Sequence, residues 1–323
     1  MIRIIRTPEK LFVSSFSGVL IILIMVLVGY VLTKKGWFDE KAPNLIAKLV
    51  TQVALPCYMI STIVGRFTAK ELLEMLSQLR FPALSMVILL AIAVAVAHLF
   101  LIDKKHQGLF VSMFFNSNTI FVGLPINQAL FGDKSIPYVL VYYMCNTTFF
   151  WTIGTYLIQR DGRKEVTLDL RGTLKKIFSP PLMGFIIGVI LVLLNIKLPA
   201  FLLSDFQYLG NLTIPLSMIF IGISVANVGL SRLRFTKDNV LVLVGRFVIA
   251  PLLMLIIVKH TQMPQLMKQV FILQSAMPVM TNAPVVAKLY GADADYAAIM
   301  GTESTLLTLL VVPILMSLVS LLG

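Results

Sequence analysis

The sequence predicts an all-α polytopic membrane protein of about ten transmembrane helices, arranged as two inverted five-helix repeats. Its composition, its apolar segments and the recurrence of landmark residues predict this fold. The 323 residues are 58% hydrophobic and 13% charged, with a mean hydropathy of +0.91, whereas soluble domains carry about 25% charged residues. We therefore expect a multi-pass protein of the cell (plasma) membrane, surrounded by the lipid bilayer.

Ten apolar segments are long enough to cross a bilayer, which takes about 20 residues per helix. They lie near residues 12–33, 43–65, 81–102, 109–131, 136–158, 178–196, 204–229, 239–259, 268–290 and 294–321. The first segment is too long for the apolar part of a cleavable signal peptide. We therefore interpret it as the first span.

Landmark residues recur at a constant separation of 159 residues, which indicates an internal repeat. The matching pairs are Pro56 with Pro215, Pro125 with Pro284, and Gly132 with Gly291. The first repeat covers residues 1–158, a charged linker covers 159–177, and the second repeat covers 178–323. Because five spans is an odd number, the second repeat enters the membrane upside down.

Lysine and arginine counts predict that the linker 159–177 is cytoplasmic and that both termini lie outside. Connections on the side of the linker carry fourteen of these residues, against ten on the side of the termini, and cytoplasmic loops are enriched in them. The net charge of +12 is spread over short loops. We interpret it as a topology signal and expect no nucleic-acid partner.

Two apolar segments combine polar residues with glycine and proline, and we predict that each is a broken helix beside a cavity. Proline removes a backbone donor, and a freed backbone group in lipid must be satisfied by protein or water. Interrupted spans in corresponding positions of two halves are typical of transporter binding sites. The candidate substrate-binding residues are Asn116, Asn118, Thr119, Gly123, Pro125, Gln274, Ser275, Pro278, Asn282 and Pro284.

These residues favour a small carboxylate as the ligand. The N-termini of half-helices present free N–H groups and positive dipole ends, which attract anions. Asn118 and Asn282 are the strongest candidates because each lies within a few residues of a break. In the alternative interpretation, the amides only hold the breaks together by interhelical hydrogen bonds.

Two charged residues inside the spans are candidates for ion coupling. Glu303 is the acidic residue placed within a span, where a charge is costly and usually faces a polar interior; it could instead lie near the membrane surface. Arg246 could neutralise a substrate, pair with Glu303 or extend to the headgroups. Lys48 and Lys288 are expected to extend toward the headgroups.

Nothing in the sequence predicts a cofactor, a metal site or an enzyme. Cys57 and Cys145 lie in apolar segments, and the three histidines lack the spacing of metal ligands. A phosphate-binding loop and a dinucleotide-binding glycine motif are both absent. A coupling ion, H⁺ or Na⁺, is the one small partner expected besides the substrate.

The motifs around the two predicted breaks resemble those of the auxin efflux carrier family. The first is the run from Asn118 to Pro125 with the following Leu-Phe-Gly132. The second is Gln274-Ser-Ala-Met-Pro278 with Asn282-Ala-Pro284 and the following Leu-Tyr-Gly291. That family includes bacterial malate and malonate permeases and plant auxin exporters. The short linker is typical of its compact prokaryotic members.

The resemblance implies a fold and a mechanism. Spans 4 and 9 would cross at their prolines. Spans 1, 2, 6 and 7 would form a scaffold through which a homodimer assembles. Spans 3–5 and 8–10 would form a transport domain that moves past this scaffold, carrying substrate bound beside the crossover in an elevator mechanism.

We therefore expect secondary active transport of a small organic anion. Mono- or dicarboxylates such as malate or malonate are the first substrates to consider, and auxin-like acids are a further class. Two alternatives stay open. One is a sodium-coupled organic anion symporter similar to bile-acid transporters, and the other is a membrane sensor that binds a ligand without transporting it.

Overall fold

The computed structural model describes residues 8–39, 41–162, 172, 174 and 177–320. The predicted cytoplasmic linker falls largely outside these residues. Both chain ends, 1–7 and 321–323, also lie outside them.

The described residues form helices and connections without a β-strand, which confirms the all-α prediction for this part of the chain. The helices are α1 (Pro8–Lys34), α2 (Ala42–Arg66), α3 (Ala69–Leu99), α4a (Gln107–Phe115), α4b (Thr119–Phe131), α5 (136–161), α6 (Pro180–Leu193), α7 (Ala200–Val228), α8 (Lys237–Lys259), α9a (Gln265–Ser275), α9b (Ala283–Tyr290) and α10 (Ala294–Ser320). Five of them, α2, α3, α7, α8 and α10, are long and apolar enough to cross a membrane by length and composition. The ten-span inverted arrangement stays a prediction.

Helix boundaries follow local sequence signals. At the start of α3, Thr68 Oγ1 accepts a hydrogen bond from the Glu71 amide (3.4 Å), and Glu71 Oε2 accepts one from the Thr68 amide (2.9 Å). This reciprocal pair is a capping box. Gly132 and Gly291 follow the last residues of α4b and α9b, and their φ angles are +71° and +76°. Glycine adopts a positive φ without the steric cost that a Cβ atom brings.

Glycines allow two helix pairs, α1 with α7 and α6 with α2, to pack closely. A Cβ atom on Gly222 of α7 would lie 2.1 Å from the Val26 carbonyl oxygen of α1. One on Gly29 of α1 would lie 2.4 Å from the Ile219 carbonyl oxygen of α7. Small residues at such contacts bring helix backbones together in membranes.

Large apolar side chains face outward on several helices. On α1, Ile21, Ile24 and Leu27 are 57–60% exposed, and Ile256 of α8 and Ile314 of α10 are 71% and 63% exposed. In water, so much exposed apolar surface would promote association. In a bilayer it is the surface that faces lipid.

Ion pairs join connections that are distant in the chain. Lys105, after α3, pairs with Asp293, after α9b, at 2.8 Å. Arg66, at the end of α2, pairs with Asp133, after α4b, at 2.5 Å. The connections that follow α3 and α9b therefore share one end of the molecule, and those that follow α2 and α4b share an end.

The glycine contact between α1 and α7 can be tested by adding one methyl group. Gly222→Ala is expected to destabilise the protein by about 1–3 kcal/mol, the usual cost of overpacking, because the methyl meets main-chain atoms of α1. Gly65→Ala is the matched control, since a Cβ atom there meets nothing within 4 Å. The measurement is the thermal unfolding midpoint in detergent, and equal midpoints for both variants would contradict the contact.

Candidate functional site

The two predicted segments are interrupted, and their interruptions meet. α4a ends at Phe115 and α4b begins at Thr119, while α9a ends at Ser275 and α9b begins at Ala283. Between them, Ser117 and Val279 form an isolated antiparallel bridge. Here the Asn118 amide donates a hydrogen bond to the Pro278 carbonyl oxygen over 2.8 Å. Main-chain groups released by one break are therefore satisfied by the other.

Side chains of two neighbouring helices complete the hydrogen bonding of the breaks. Asn146 of α5 accepts a hydrogen bond from the Ser117 amide (2.9 Å) and donates one to the Ser117 carbonyl oxygen (2.8 Å). Ser304 Oγ of α10 accepts a hydrogen bond from the Val279 amide (3.1 Å). Asn146 is not among the candidate residues predicted from the sequence. The sequence signal for a role of Asn146 is an amide side chain within an apolar segment.

The prolines lie after the interruptions and not within them. Pro284 is the second residue of α9b, where a missing N–H group breaks no helical hydrogen bond. Pro125 follows a π-helical turn, Thr119–Gly123, in which the Gly123 amide donates to the Asn118 carbonyl oxygen (3.0 Å). Both prolines therefore help to begin a regular half-helix, and the backbone contact occurs several residues earlier.

Arg246 of α8 binds main-chain carbonyl groups of both breaks. Its side chain is fully buried. The guanidinium donates hydrogen bonds to the carbonyl oxygens of Phe114 (3.2 Å), Met277 (3.0 Å) and Ser275. Phe114 lies in the last turn of α4a and Ser275 ends α9a. Carbonyls at helix C-termini lack helical partners and carry negative partial charge, so the cation stabilises both helix ends.

Gln274 connects α9a to the start of α4b. Its side chain is fully buried, and Nε2 donates a hydrogen bond to the Thr119 carbonyl oxygen (3.3 Å). A Cβ atom on Gly123 would lie 2.3 Å from Gln274 Oε1. Gly123 therefore makes room for the Gln274 amide.

Three buried amide atoms of the candidate residues lack a hydrogen-bond partner among the described residues. They are Asn116 Oδ1, Asn118 Nδ2 and Gln274 Oε1. Asn118 Oδ1 accepts a hydrogen bond from the Phe121 amide (3.1 Å) and so caps α4b. Its Nδ2 atom is buried and has no hydrogen-bond partner among the described residues.

A cavity of about 620 Å³ lies beside the meeting point of the breaks. Asn118, Thr119 and Asn282 of the candidate residues line it. The other candidates, Asn116, Gly123, Pro125, Gln274, Ser275, Pro278 and Pro284, are not among its lining residues. Several of these form and support the breaks. The structure therefore divides the predicted site into residues that line the cavity and residues that form or support the breaks beside it.

The wall opposite the breaks comes from α2. Asn44, Lys48, Thr51 and Gln52 line the cavity from this helix. Lys48, expected to extend toward the headgroups, is the cationic residue among the described lining residues, and none of those is acidic. Four aromatic side chains also line the cavity: Phe121, Tyr143, Trp151 and Phe220.

The two residues predicted to couple ions lie apart from each other. Glu303 is buried in α10, where Oε1 accepts a hydrogen bond from the Arg234 amide (2.6 Å) and Oε2 accepts one from Asn239 Nδ2 (2.7 Å). The partners of Arg246 are main-chain carbonyls at the breaks. The pairing of Glu303 with Arg246, one alternative of the sequence analysis, does not occur. Lys288 is exposed on α9b and does not line the cavity.

The sequence profile of the membrane transport protein family matches residues 14–316. The chain belongs to this family. It is the family of the auxin efflux carriers, so the resemblance found in the motifs is confirmed. As a member of the membrane transport protein family, the chain is a membrane transporter, which is consistent with the prediction that it is not an enzyme.

Two archaeal relatives of the membrane transport protein family resemble the chain over nearly their whole length. An uncharacterized transporter of Methanocaldococcus jannaschii is 28% identical over 303 residues, which cover 91% of this chain and 95% of the relative. An uncharacterized transporter of Methanothermobacter thermautotrophicus is 26% identical over 314 residues, covering 94% and 98%. Both names support membrane transport.

The role of Arg246 can be tested by replacing it with lysine, which keeps the positive charge but lacks the planar guanidinium. A lysine has one donor group and cannot reach carbonyls of both breaks as a planar guanidinium does. Arg246→Lys is expected to lower stability by about 1–3 kcal/mol for each buried carbonyl left without a donor, measured as the unfolding midpoint in detergent. Arg80→Lys, at an exposed arginine, should be close to wild type; similar midpoints for the two variants would contradict the bracing role.

Proposed function

We propose that the protein is a secondary active transporter of small organic anions, with mono- or dicarboxylates such as malate or malonate as substrates. The observation that carries this proposal is the cavity beside the two breaks. It presents amide side chains and Lys48, and its described lining residues include no carboxylate. Such a lining attracts an anion and repels a cation.

The starts of two half-helices support the same charge preference. Thr119, the first residue of α4b, and Asn282, just before α9b, both line the cavity. The first turn of a helix has N–H groups without helical partners and a positive dipole end. Together with Asn118 Nδ2, the positive ends of these two half-helices would favour a carboxylate. The aromatic rings would contact its carbon skeleton.

The packing of the scaffold helices supports an inverted repeat. Gly29 of α1 lies against Gly222 of α7. Adding the separation of 159 residues to Gly29 gives Gly188 of α6, and subtracting it from Gly222 gives Ile63 of α2. A Cβ atom on Gly188 would lie 3.0 Å from Ile63 Cβ, so the two contacts correspond. We propose on this basis that spans 1, 2, 6 and 7 form the scaffold and the homodimer interface.

The remaining spans, 3–5 and 8–10, would form the transport domain and move as a unit in an elevator mechanism. At one end, Tyr58 of α2 donates a hydrogen bond to Gln128 of α4b (3.1 Å), and Gln128 donates one to Asp133 (2.6 Å), which also pairs with Arg66. This network joins the proposed scaffold to the proposed transport domain. It would have to break when the domain moves.

Arg246 bears on the choice of coupling ion. The C-terminal carbonyls of α4a and α9a could otherwise coordinate a cation such as Na⁺. Because a permanent guanidinium already binds these carbonyls, we favour H⁺ over Na⁺ as the coupling ion. In this proposal Arg246 supports ion coupling as a side chain whose charge does not change. Glu303 remains the candidate for the carboxylate that binds the coupling ion.

The substrate site can be tested with Asn118→Asp and Asn282→Ala. The aspartate keeps the acceptor that caps α4b but replaces the Nδ2 donor with an anionic oxygen. Asn282 makes no capping hydrogen bond through its side chain, so its loss should leave the fold intact. We expect at least about a tenfold loss of kcat/KM, or roughly 1.4 kcal/mol or more, for uptake of labelled malate or malonate into proteoliposomes.

The control is Asn211→Ala, at an exposed asparagine of α7, which should transport like wild type. Wild-type uptake by both site variants would remove Asn118 and Asn282 from the substrate site. Saturable binding without accumulation under any imposed gradient would favour the sensor. Uptake that follows only a sodium gradient would favour the sodium-coupled symporter.

Ion coupling through Glu303 is tested with Glu303→Gln under separately imposed proton, sodium and voltage gradients. We expect transport down the substrate gradient to continue, while accumulation driven by the coupling ion is lost, because glutamine cannot bind and release a proton. Glu74→Gln, at an exposed glutamate, is the control. If the Glu303 variant accumulates substrate as wild type does, Glu303 has only a structural role.

A further inference from the structure

A second group of titratable side chains lies away from the cavity, where the connection after α3 meets α8 and α10. At its centre, His106 Nε2 lies 2.9 Å from Asp238 Oδ2, and both side chains are mostly buried (13% and 16% exposed). The His106 ring stacks on Tyr296 of α10 with ring centroids 4.1 Å apart. The other two histidines, His98 and His260, are exposed.

Three carboxylates interact with His106. Besides Asp238 at the start of α8, Asp161 at the end of α5 and Asp293 before α10 act on it electrostatically. Lys105 on its own connection pairs with Asp293, and Lys237 lies beside Asp238 at 3.9 Å. Tyr296 faces Asp238, Asp293 and also Glu303 of α10.

The contacts of Asp293 favour its charged form. Although burial opposes ionisation, hydrogen bonds from Lys105 and from the Tyr296 amide hold the pKa of Asp293 below its usual range. The same ion pair raises the pKa of Lys105. Histidine is the side chain that ordinarily changes charge between pH 5 and 8. His106 is the imidazole of this group, and its Nε2 atom contacts the Asp238 carboxylate directly.

We propose that His106 and Asp238 form a proton-binding site that makes transport depend on pH on the side of the predicted cytoplasmic linker. The proposal rests on the proposed function and adds to it a second proton-binding site, separate from the coupling carboxylate proposed at Glu303. Binding of H⁺ by the imidazole converts a hydrogen bond between neutral His106 and the Asp238 carboxylate into an ion pair between imidazolium and carboxylate. The proton comes from solvent, and no covalent bond is made or broken.

Helix α4a connects His106 to the candidate substrate site. His106 immediately precedes α4a, and this nine-residue helix ends at Phe115, just before the first break. Asp161 accepts hydrogen bonds from the amides of Gly108 and Leu109 in the first turn of α4a (2.8 Å and 2.6 Å). An ion pair at His106 would fasten the start of α4a to α8, the helix that carries Arg246.

The test compares His106→Gln with His98→Gln and His260→Gln, which make the same substitution at the exposed histidines. The first readout needs no substrate: hydrogen–deuterium exchange of the α4a amides in detergent at pH 5.5 and 7.5, corrected for intrinsic rates. We expect wild type and both controls to exchange at least about threefold more slowly at pH 5.5 in residues 107–111, because the ion pair holds this turn. His106→Gln and Asp238→Asn should lose the difference.

The second readout is uptake of labelled malate or malonate into proteoliposomes as a function of pH on the side of the linker. We expect the pH profile of His106→Gln to be flat where that of wild type changes severalfold. Loss of the exchange difference in His98→Gln, or its retention in His106→Gln, would overturn the proposal. An intact exchange difference without uptake by wild type would instead contradict the proposed substrates and leave the proton site standing.

Discussion

The guanidinium of Arg246 holds the ends of two interrupted helices together, and the geometry of the candidate site depends on this contact. α4a and α9a each end inside the protein, where their last carbonyls have no helical partners and equal partial charges repel. A planar cation with several donors can satisfy carbonyls from both helices at once. Gly245 lets α8 come close enough for this, since a Cβ atom there would lie 2.4 Å from the Phe114 ring.

The polar groups near the breaks consequently fall into two sets. Asn146, Ser304 and Arg246 are used up in hydrogen bonds to main-chain atoms of the breaks. In a low-dielectric interior, those bonds are a condition for having a break at all. Asn118 belongs to both sets, because its oxygen caps α4b while its nitrogen faces no described partner. Loss of a residue in the first set would unfold the site, whereas loss of one in the second set would weaken ligand binding.

The sequence predicts the helical class and the position of the breaks because both depend on local properties. Apolar length and the residues of the segment around Asn118 are readable from the chain itself. The role of Arg246 is not, since a buried arginine has the same local sequence whether it binds a ligand, an acidic residue or main-chain carbonyls. The contacts of Asn146 and the position of Lys48 beside the cavity likewise depend on how α5 and α2 pack. The periodicity of the sequence does not specify that packing. The prolines indicate the position of each break only approximately, because proline is tolerated best just after a break.

The distribution of charge narrows what the cavity can bind. The charge of Arg246 is offset by the helix ends that it braces, and the carbonyls stand between it and any ligand. Lys48 is thus the full positive charge that the described lining presents, assisted by two helix starts and by amides. Because the helix starts and Asn118 belong to the proposed transport domain while Lys48 belongs to α2 of the proposed scaffold, a bound carboxylate would contact both parts. Movement of the transport domain would then separate the ligand from Lys48, so that the charge which favours binding in this conformation would not travel with the substrate.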